Sequence, residues 1–195
     1  MNVAIILAAG ESRRMGQPKQ LLRFGNKTML ECVIDAFDSP RVDEIRVVLG
    51  YKADEIAAKI VDTRCKIVRN EHYQQGMFTS IQAGLRGLPK EARLVLIAVS
   101  DQPRLKRETV EMLIEKFETE HHKILIPSYK GRQGHPPVLR AGYANEILAM
   151  DESLTLKHFY AEHADDITRL VVEDEGSLVD IDDRETYERE LKKWS

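Results

Sequence analysis

Val3-Ala4-Ile5-Ile6-Leu7-Ala8-Ala9-Gly10-Glu11-Ser12-Arg13-Arg14-Met15-Gly16-Gln17-Pro18-Lys19 joins an apolar strand directly to a loop carrying two glycines, two arginines and a lysine. Gly10 and Gly16 permit a turn and a close approach to a ligand that a Cβ would hinder. Consecutive N–H groups in such a loop form a concave anion site, and Arg13, Arg14 and Lys19 add positive charge around it. The expected ligand is a nucleoside triphosphate. Five residues separate Gly10 from Gly16, and Gln17-Pro18 precedes Lys19, so the loop is not a Walker A segment. Nor do the glycines follow the dinucleotide fingerprint.

The chain has 195 residues, 31% of them charged with both signs intermixed, and a net charge of −3. That balance gives no footprint for a general nucleic-acid binder or a membrane-surface protein. The first residues lack a charged segment followed by a long apolar one, so they read as a strand and not a signal peptide. No run approaches the roughly 20 apolar residues of a membrane span. Cys32 and Cys65 stand alone without a metal-binding spacing, as reduced thiols of a cytoplasmic protein do. One domain over residues 1–195 is expected.

Short β-branched runs alternate with helical-period segments, which predicts a Rossmann-like three-layer α/β/α fold: a mainly parallel sheet with helices on both faces. Strands are expected at Val3–Leu7, Ile45–Leu49, Lys66–Val68, Leu94–Val99 and Ile124–Ile126, with a late one near Leu170–Val172. Helical spacing relates Met29, Leu30, Val33, Ile34 and Phe37, then Ile56 and Ile60, then Val110, Leu113, Ile114 and Phe117. Two short helices follow Pro137, a hairpin-like return covers Ser177–Ile181, and a charged helix runs from Arg184. Ligands of open α/β sheets bind outside the carboxyl ends of the strands. Residues 8–19, 100–103 and 128–137 should therefore share one cleft.

Asp101 follows the apolar strand Leu94–Val99 and is the expected magnesium ligand, since Mg²⁺ takes one or two carboxylates together with phosphate oxygens and water. In Val179-Asp180-Ile181-Asp182-Asp183, Asp180 and Asp182 share a face of an extended segment, turned to the cleft or to solvent. Asp182 is the favoured second ligand, and Asp183 a cap for the last helix. Gly76–Leu85 reads as a loop delivering a helix capped by Thr79 or Ser80. His135 has no partner at zinc spacing. No Ser-His-Asp or cysteine nucleophile can be assembled, and none is needed if a phosphate, with a second pKa of about 6, attacks the α-phosphorus of a nucleotide. Positioning and charge stabilisation by Lys19, Arg14 and Asp101 then carry the reaction.

The segment Leu7–Lys19 resembles the signature of the sugar-nucleotidyltransferase-like superfamily, with its nucleotide-diphospho-sugar transferase-like fold. Together with Gly76–Leu85, Ser100-Asp101-Gln102-Pro103 and Gly134-His135-Pro136, the chain is similar over nearly its whole length to molybdenum cofactor cytidylyltransferases of the molybdopterin nucleotidyltransferase family. The resemblance implies transfer of CMP from CTP to the phosphate of the molybdenum cofactor, with pyrophosphate released and a molybdenum hydroxylase apoenzyme as recipient. It places Leu7, Ala8, Ala9 and Gly10 on the base through backbone groups, and Ser12, Arg14 and Lys19 on the phosphates. Asp101 falls on the metal, Ser80 and Gln82 near the nucleotide, and Gly134, His135 and Pro136 near the acceptor. Ala9, where guanylyl-transferring relatives have glycine, resembles the cytidylyl class. The chain departs from the family at Met150–His158, where a Gly-Asp-x-Gly-Ala-Arg segment is usual, so the acceptor stays open, with Lys157 or His158 as replacement charge. Methylerythritol-phosphate cytidylyltransferases share the Pro18-Lys19-Gln20 triplet but carry His-Asp-x-x-Arg-Pro where this chain reads Val99-Ser100-Asp101-Gln102-Pro103. Sugar-1-phosphate transferases share the fold with less resemblance, and the departure at Met150–His158 also suits a non-catalytic cofactor-delivery protein of the same fold.

Overall fold

In the computed structural model, which describes residues 1–60 and 64–194, the opening strand lies at the middle of the sheet. The chain runs β1 (Asn2–Leu7), β2 (Arg23–Phe24), β3 (Lys27–Thr28), α1 (Met29–Phe37), β4 (Glu44–Leu49), α2 (Ala53–Ala57), β5 (Cys65–Arg69) and α3 (Met77–Leu85). It continues through β6 (Leu94–Val99), α4 (Arg107–Thr119), β7 (Ile124–Tyr129), β8 (Arg132–Gln133), β9 (Val138–Arg140), α5 (Ala144–Ala149), α6 (Leu156–Glu162), β10 (Ile167–Val171) and α7 (Arg184–Trp194). The main sheet has the order β10-β7-β9-β6-β1-β4-β5, with β8 folded back on β7. All pairs are parallel except those made by β9 and β8.

Alternation along β1 explains the layers. Ala4 and Ile6 face a core with Leu30, Val33, Ile34 and Phe37 of α1, Ile56 of α2, and Val110, Leu113 and Ile114 of α4. Val3, Ile5 and Leu7 face the other core, with Phe78, Ile81 and Leu85 of α3, Ile147 of α5 and Phe159 of α6. Both faces of β1 and β6 are buried, which is why these strands read as unbroken apolar runs. Helix α3 crosses so near the sheet that a Cβ on Gly84 would collide with Ile5 and lie 3.1 Å from Val48. The three-layer α/β architecture is thus the one expected.

Several local expectations change. Val138–Arg140 is an antiparallel strand wedged between β6 and β7, although three residues after two prolines give no period to read. Helix α2 stops at Ala57, so Ile60 lies beyond it. Helix α3 starts at Met77 after Gly76, and Thr79 and Ser80 sit inside it instead of capping it. The late strand is Ile167–Val171. No hairpin forms at Ser177–Ile181: a 3-10 turn over Glu175–Ser177 leads into an irregular segment whose backbone bonds go to the site loops. Helix α7 is capped by Asp183, whose carboxylate accepts from the Thr186 N–H at 2.8 Å. Ile181 joins a third apolar cluster with Phe24, Met29 and Cys32, backed by Tyr187 and Leu191 of α7. That docking fixes the acidic segment next to the sheet's carboxyl edge. Neither Cys32 nor Cys65 is in a disulfide, and burial first, then Asp35, pushes the Cys32 thiol up to about 11. Among the described residues no helix is long and apolar enough to cross a membrane.

Candidate active site

The loop after β1 is tied from behind. Ser12 adopts the left-handed conformation at φ 55°, and its hydroxyl accepts from the Lys19 N–H at 3.1 Å. The buried Gln20 amide donates to the carbonyls of Ala8 (2.9 Å) and Gly10 (3.1 Å). The Ala9 carbonyl accepts from Tyr51 N–H (3.1 Å), and Ala8 N–H donates to Val48. Much of the backbone expected to hold a base is therefore already used in shaping the loop, with Ala8 and Ala9 buried. The N–H groups of residues 10–14 are different: among the described residues none of them has an acceptor. Gly16 closes the loop at φ 69°, where a Cβ would be strained.

Gly10 itself is not required by the turn. Its φ lies outside the left-handed region, and an added Cβ would meet nothing within 4 Å. The space beside it is open, with no protein atom other than its chain neighbours within that distance. Gly10→Ala is therefore expected to leave thermal unfolding unchanged while weakening nucleotide binding about tenfold; equal loss of both in melting and titration experiments would contradict this.

Lys19 lies at the centre of the charges. Its ammonium is 2.6 Å from Asp101 Oδ2 and 2.7 Å from Asp182 Oδ1, and Arg14 reaches Asp182 Oδ2 at 3.0 Å. The sheet delivers Asp101 just past β6, and the Asp101 carbonyl accepts from Ile181 N–H at 2.9 Å, locking the acidic segment in register. Burial works against the charged Lys19 ammonium, but Asp101 and Asp182 outweigh it and hold it above its ordinary value. The hydrogen bond from Lys19 holds the Asp182 carboxyl below the usual range. The pair accordingly survives as pH falls through ordinary carboxylate values and is lost only as pH drops through the depressed value. Asp180 is exposed and accepts from Gln102 Nε2 at 2.8 Å. Desolvation, reinforced by Asp101 and Asp182, pushes its carboxyl up.

The donor set suits magnesium. Among the described residues no three His, Cys, Asp or Glu side chains gather as a self-sufficient metal cage. Two carboxylates converging on one point, with phosphates completing the shell, is the arrangement Mg²⁺ accepts. Asp101 Oδ1 is moreover buried without a hydrogen-bond partner among the described residues.

A cavity of about 550 Å³ lies at the same sheet edge. Leu7, Gly134 and His135 line it, and of the two prolines Pro137 lies on the wall and Pro136 does not. His135 donates its N–H to the Ser177 carbonyl at 2.8 Å. The divergent segment forms one side, from Glu152 to Lys157. His158 does not line the cavity; its Nδ1 lies 3.1 Å from the Thr155 N–H and closes the capping box of α6. Gln82 is bound to the carbonyls of Ile147 (3.0 Å) and Met150 (2.9 Å), so it braces the entry to that segment and does not join the Lys19 cluster. Ser80 is buried on Asn70, whose amide donates to Thr79 and Ser80 at 2.9 Å each. Gln20 and Asn70 are the shaping residues that sequence reasoning missed; only the Pro18-Lys19-Gln20 triplet hinted at the first.

Over 170 residues the chain is 30% identical to the bifunctional protein GlmU of Clostridium tetani, covering 82% of this chain and 37% of that protein. It is 30% identical to the nicotine blue oxidoreductase of Paenarthrobacter nicotinovorans, covering 71% and 70%. To a probable molybdenum cofactor guanylyltransferase of Natranaerobius thermophilus it is 26% identical, covering 80% and 73%. The crystal structure of a homologue of Mycobacterium tuberculosis Rv0371c from Mycobacterium sp. strain JC1 superposes with a TM-score of 0.84 at 25% identity, over 99% of this chain and 96% of that one. The chain thus spans little more than a third of the length of the bifunctional relative. Residues 4–167 match the MobA-like NTP transferase domain. With that match covering most of its length, the chain belongs to the MobA-like NTP transferase family.

Proposed function

We propose that the protein transfers CMP from CTP to the phosphate of the molybdenum cofactor, releasing pyrophosphate, and works in the cytoplasm upstream of a molybdenum hydroxylase apoenzyme. The observation that carries this reading is the Lys19 ammonium held between Asp101 and Asp182 beneath a loop of open N–H groups. An acceptor phosphate oxygen forms the new bond to the α-phosphorus as the bond to pyrophosphate breaks. Lys19 and Arg14 offset the charge that gathers on the α-phosphate and the leaving group, and the N–H groups of residues 10–14 orient the triphosphate. Asp101 and Asp182 are the carboxylates that would hold Mg²⁺, whose chemistry when bound is to neutralise phosphate oxygens.

The preference for CTP rests on Ala9, buried at the loop's start, where the added methyl favours the smaller base. One methyl contributes about 1–3 kcal/mol of discrimination. With Mg²⁺ present, CTP at a hundredfold excess over its Kd is expected to stabilise the protein by about 2.7 kcal/mol, and GTP at the same concentration clearly less. Equal shifts in thermal melts would overturn the base assignment. Pyrophosphate release from CTP with molybdenum cofactor tests transfer itself. Nucleotide binding without release would favour the cofactor-delivery role that the divergent acceptor-side segment, Met150–His158, keeps open.

A further inference from the structure

Asp101 and Asp182 are carried by elements of different kinds. Asp101 follows β6 and is held by the sheet, whereas Asp182 stands in an irregular segment just ahead of α7. The bond from Ile181 N–H to the Asp101 carbonyl ties the two backbones at a point. A point acts as a pivot, and the helix beyond it decides how Asp182 is placed.

Helix α7 is attached in two ways. Its apolar side docks through Tyr187 and Leu191 on Phe24, Met29 and Cys32, and Trp194 meets the Phe24 ring at 5.0 Å. Such contact is non-directional, so it keeps the helix on the body without fixing its place along its own axis. The second attachment is ionic. Glu190 is buried, and its carboxylate accepts from Arg189 Nε at 3.0 Å, from Lys193 Nζ at 3.1 Å and from Arg104 Nη1. Arg189 and Lys193 belong to α7 and move with it. Arg104 lies three residues after Asp101, and the same nitrogen also reaches Glu175 at 3.2 Å.

The loop that carries Arg104 is itself pinned. Asp174 accepts from the Lys106 N–H (3.0 Å), the Thr109 hydroxyl (2.7 Å) and the Gly176 N–H (2.9 Å). A Cβ on Gly176 would lie 2.2 Å from the Arg104 carbonyl oxygen, so the two backbones are in direct contact. Arg104 thus gives α7 a fixed point on the loop that holds Asp101. Glu190 is seven residues past Asp183, about 10 Å along the helix, and a shift at Glu190 is carried to the end where Asp182 stands.

We propose that Arg104 is a positioning residue that acts through Glu190 to set where Asp182 stands relative to Asp101, and this rests on the Mg²⁺ role proposed for the two carboxylates. Mg²⁺ demands near-ideal octahedral geometry, so a displaced carboxylate weakens the hold on the cation. The nucleotide's contacts with residues 10–14 are untouched by that displacement. Loss of a group that orients metal-holding residues costs about 10–100-fold in metal affinity. With the Ile181 bond still in place, about tenfold is expected here.

Calorimetric titration of the whole chain with the α,β-methylene analogues of CTP and GTP, in Mg²⁺ and again in EDTA, isolates the effect. For whichever analogue binds more tightly, the ratio of the two affinities is the gain from the metal. Wild-type protein is expected to show a gain, and Asp182→Ala to lose it. Arg104→Met should cut the gain about tenfold and leave the affinity in EDTA unchanged, a pattern that general loosening of the fold does not give. Glu190→Gln keeps the shape of the buried side chain and should act alike, so it carries the test should Arg104→Met not fold. The double variant should lose no more than either single one, since both break one link. Arg104→Lys should retain most of the gain, because one nitrogen makes both of the Arg104 bonds and an ammonium can replace it. A gain that survives in Arg104→Met and Glu190→Gln while Asp182→Ala abolishes it would overturn the positioning role and leave the metal reading standing. A wild type with no gain from Mg²⁺ would remove both.

Discussion

Lys19→Met is expected to lower nucleotidyl transfer about a thousandfold while the protein remains folded. The ammonium is mostly buried and lies within hydrogen-bond distance of two carboxylates, so it is fixed before the nucleotide arrives. A charge held in place needs no reorganisation as negative charge develops on the α-phosphate, and removing one such group costs on the order of 10²–10³ in rate. Methionine also leaves Asp101 without its cation and Asp182 with Arg14 alone, which places the loss at the upper end. Lys19→Arg is expected to restore little, because a planar guanidinium cannot occupy the compact position between both carboxylates. Pyrophosphate release under saturating CTP measures the effect; a rate within tenfold of the wild type would remove Lys19 from the chemistry.

The largest effect on stability should come from a residue outside the site. Arg46 on β4 is 1% exposed, yet its guanidinium donates to the carbonyls of Gly84 (3.0 Å), Arg86 (2.9 Å) and Gly87 (2.8 Å) and pairs with Glu44. These carbonyls belong to the end of α3 and the turn after it, where helix geometry leaves acceptors without intrahelical donors. Arg46→Met keeps the apolar stem and removes every donor. The uncompensated Glu44 and carbonyls are expected to cost about 3–5 kcal/mol, the range for breaking a buried charged pair. For a chain of this size that lowers Tm by roughly 10 °C. Thermal and urea unfolding check it, and a loss below about 1 kcal/mol would show that the turn after α3 finds other donors.

Arg46 also illustrates what the sequence conceals. A lone arginine in Ile45–Leu49 reads as a solvent-facing strand residue, and only the packing of α3 across the sheet supplies its acceptors. The strands at Val3–Leu7 and Leu94–Val99 were legible because burial on both faces demands continuous apolar runs. Val138–Arg140 was not, since its antiparallel pairing is decided by neighbours far along the chain. The site divides in the same way. Lys19 and Asp101 stand in motifs whose charge speaks for itself, and the structure brings them together with Asp182. Gln20 and Asn70 are neutral amides whose work is to hold distant backbone and hydroxyl groups, and no spacing advertises that. Gly10 was expected to make a turn, but Ser12 and Gly16 take the left-handed positions and Gly10 leaves space.

A crystal structure of the protein with Mg²⁺ and a non-hydrolysable α,β-methylene analogue of CTP tests the central claim most directly. The account predicts the triphosphate against the N–H groups of residues 10–14, Lys19 on its phosphates, and Asp101 and Asp182 on the metal at the same triphosphate. A nucleotide bound away from Lys19, Asp101 and Asp182 would contradict it.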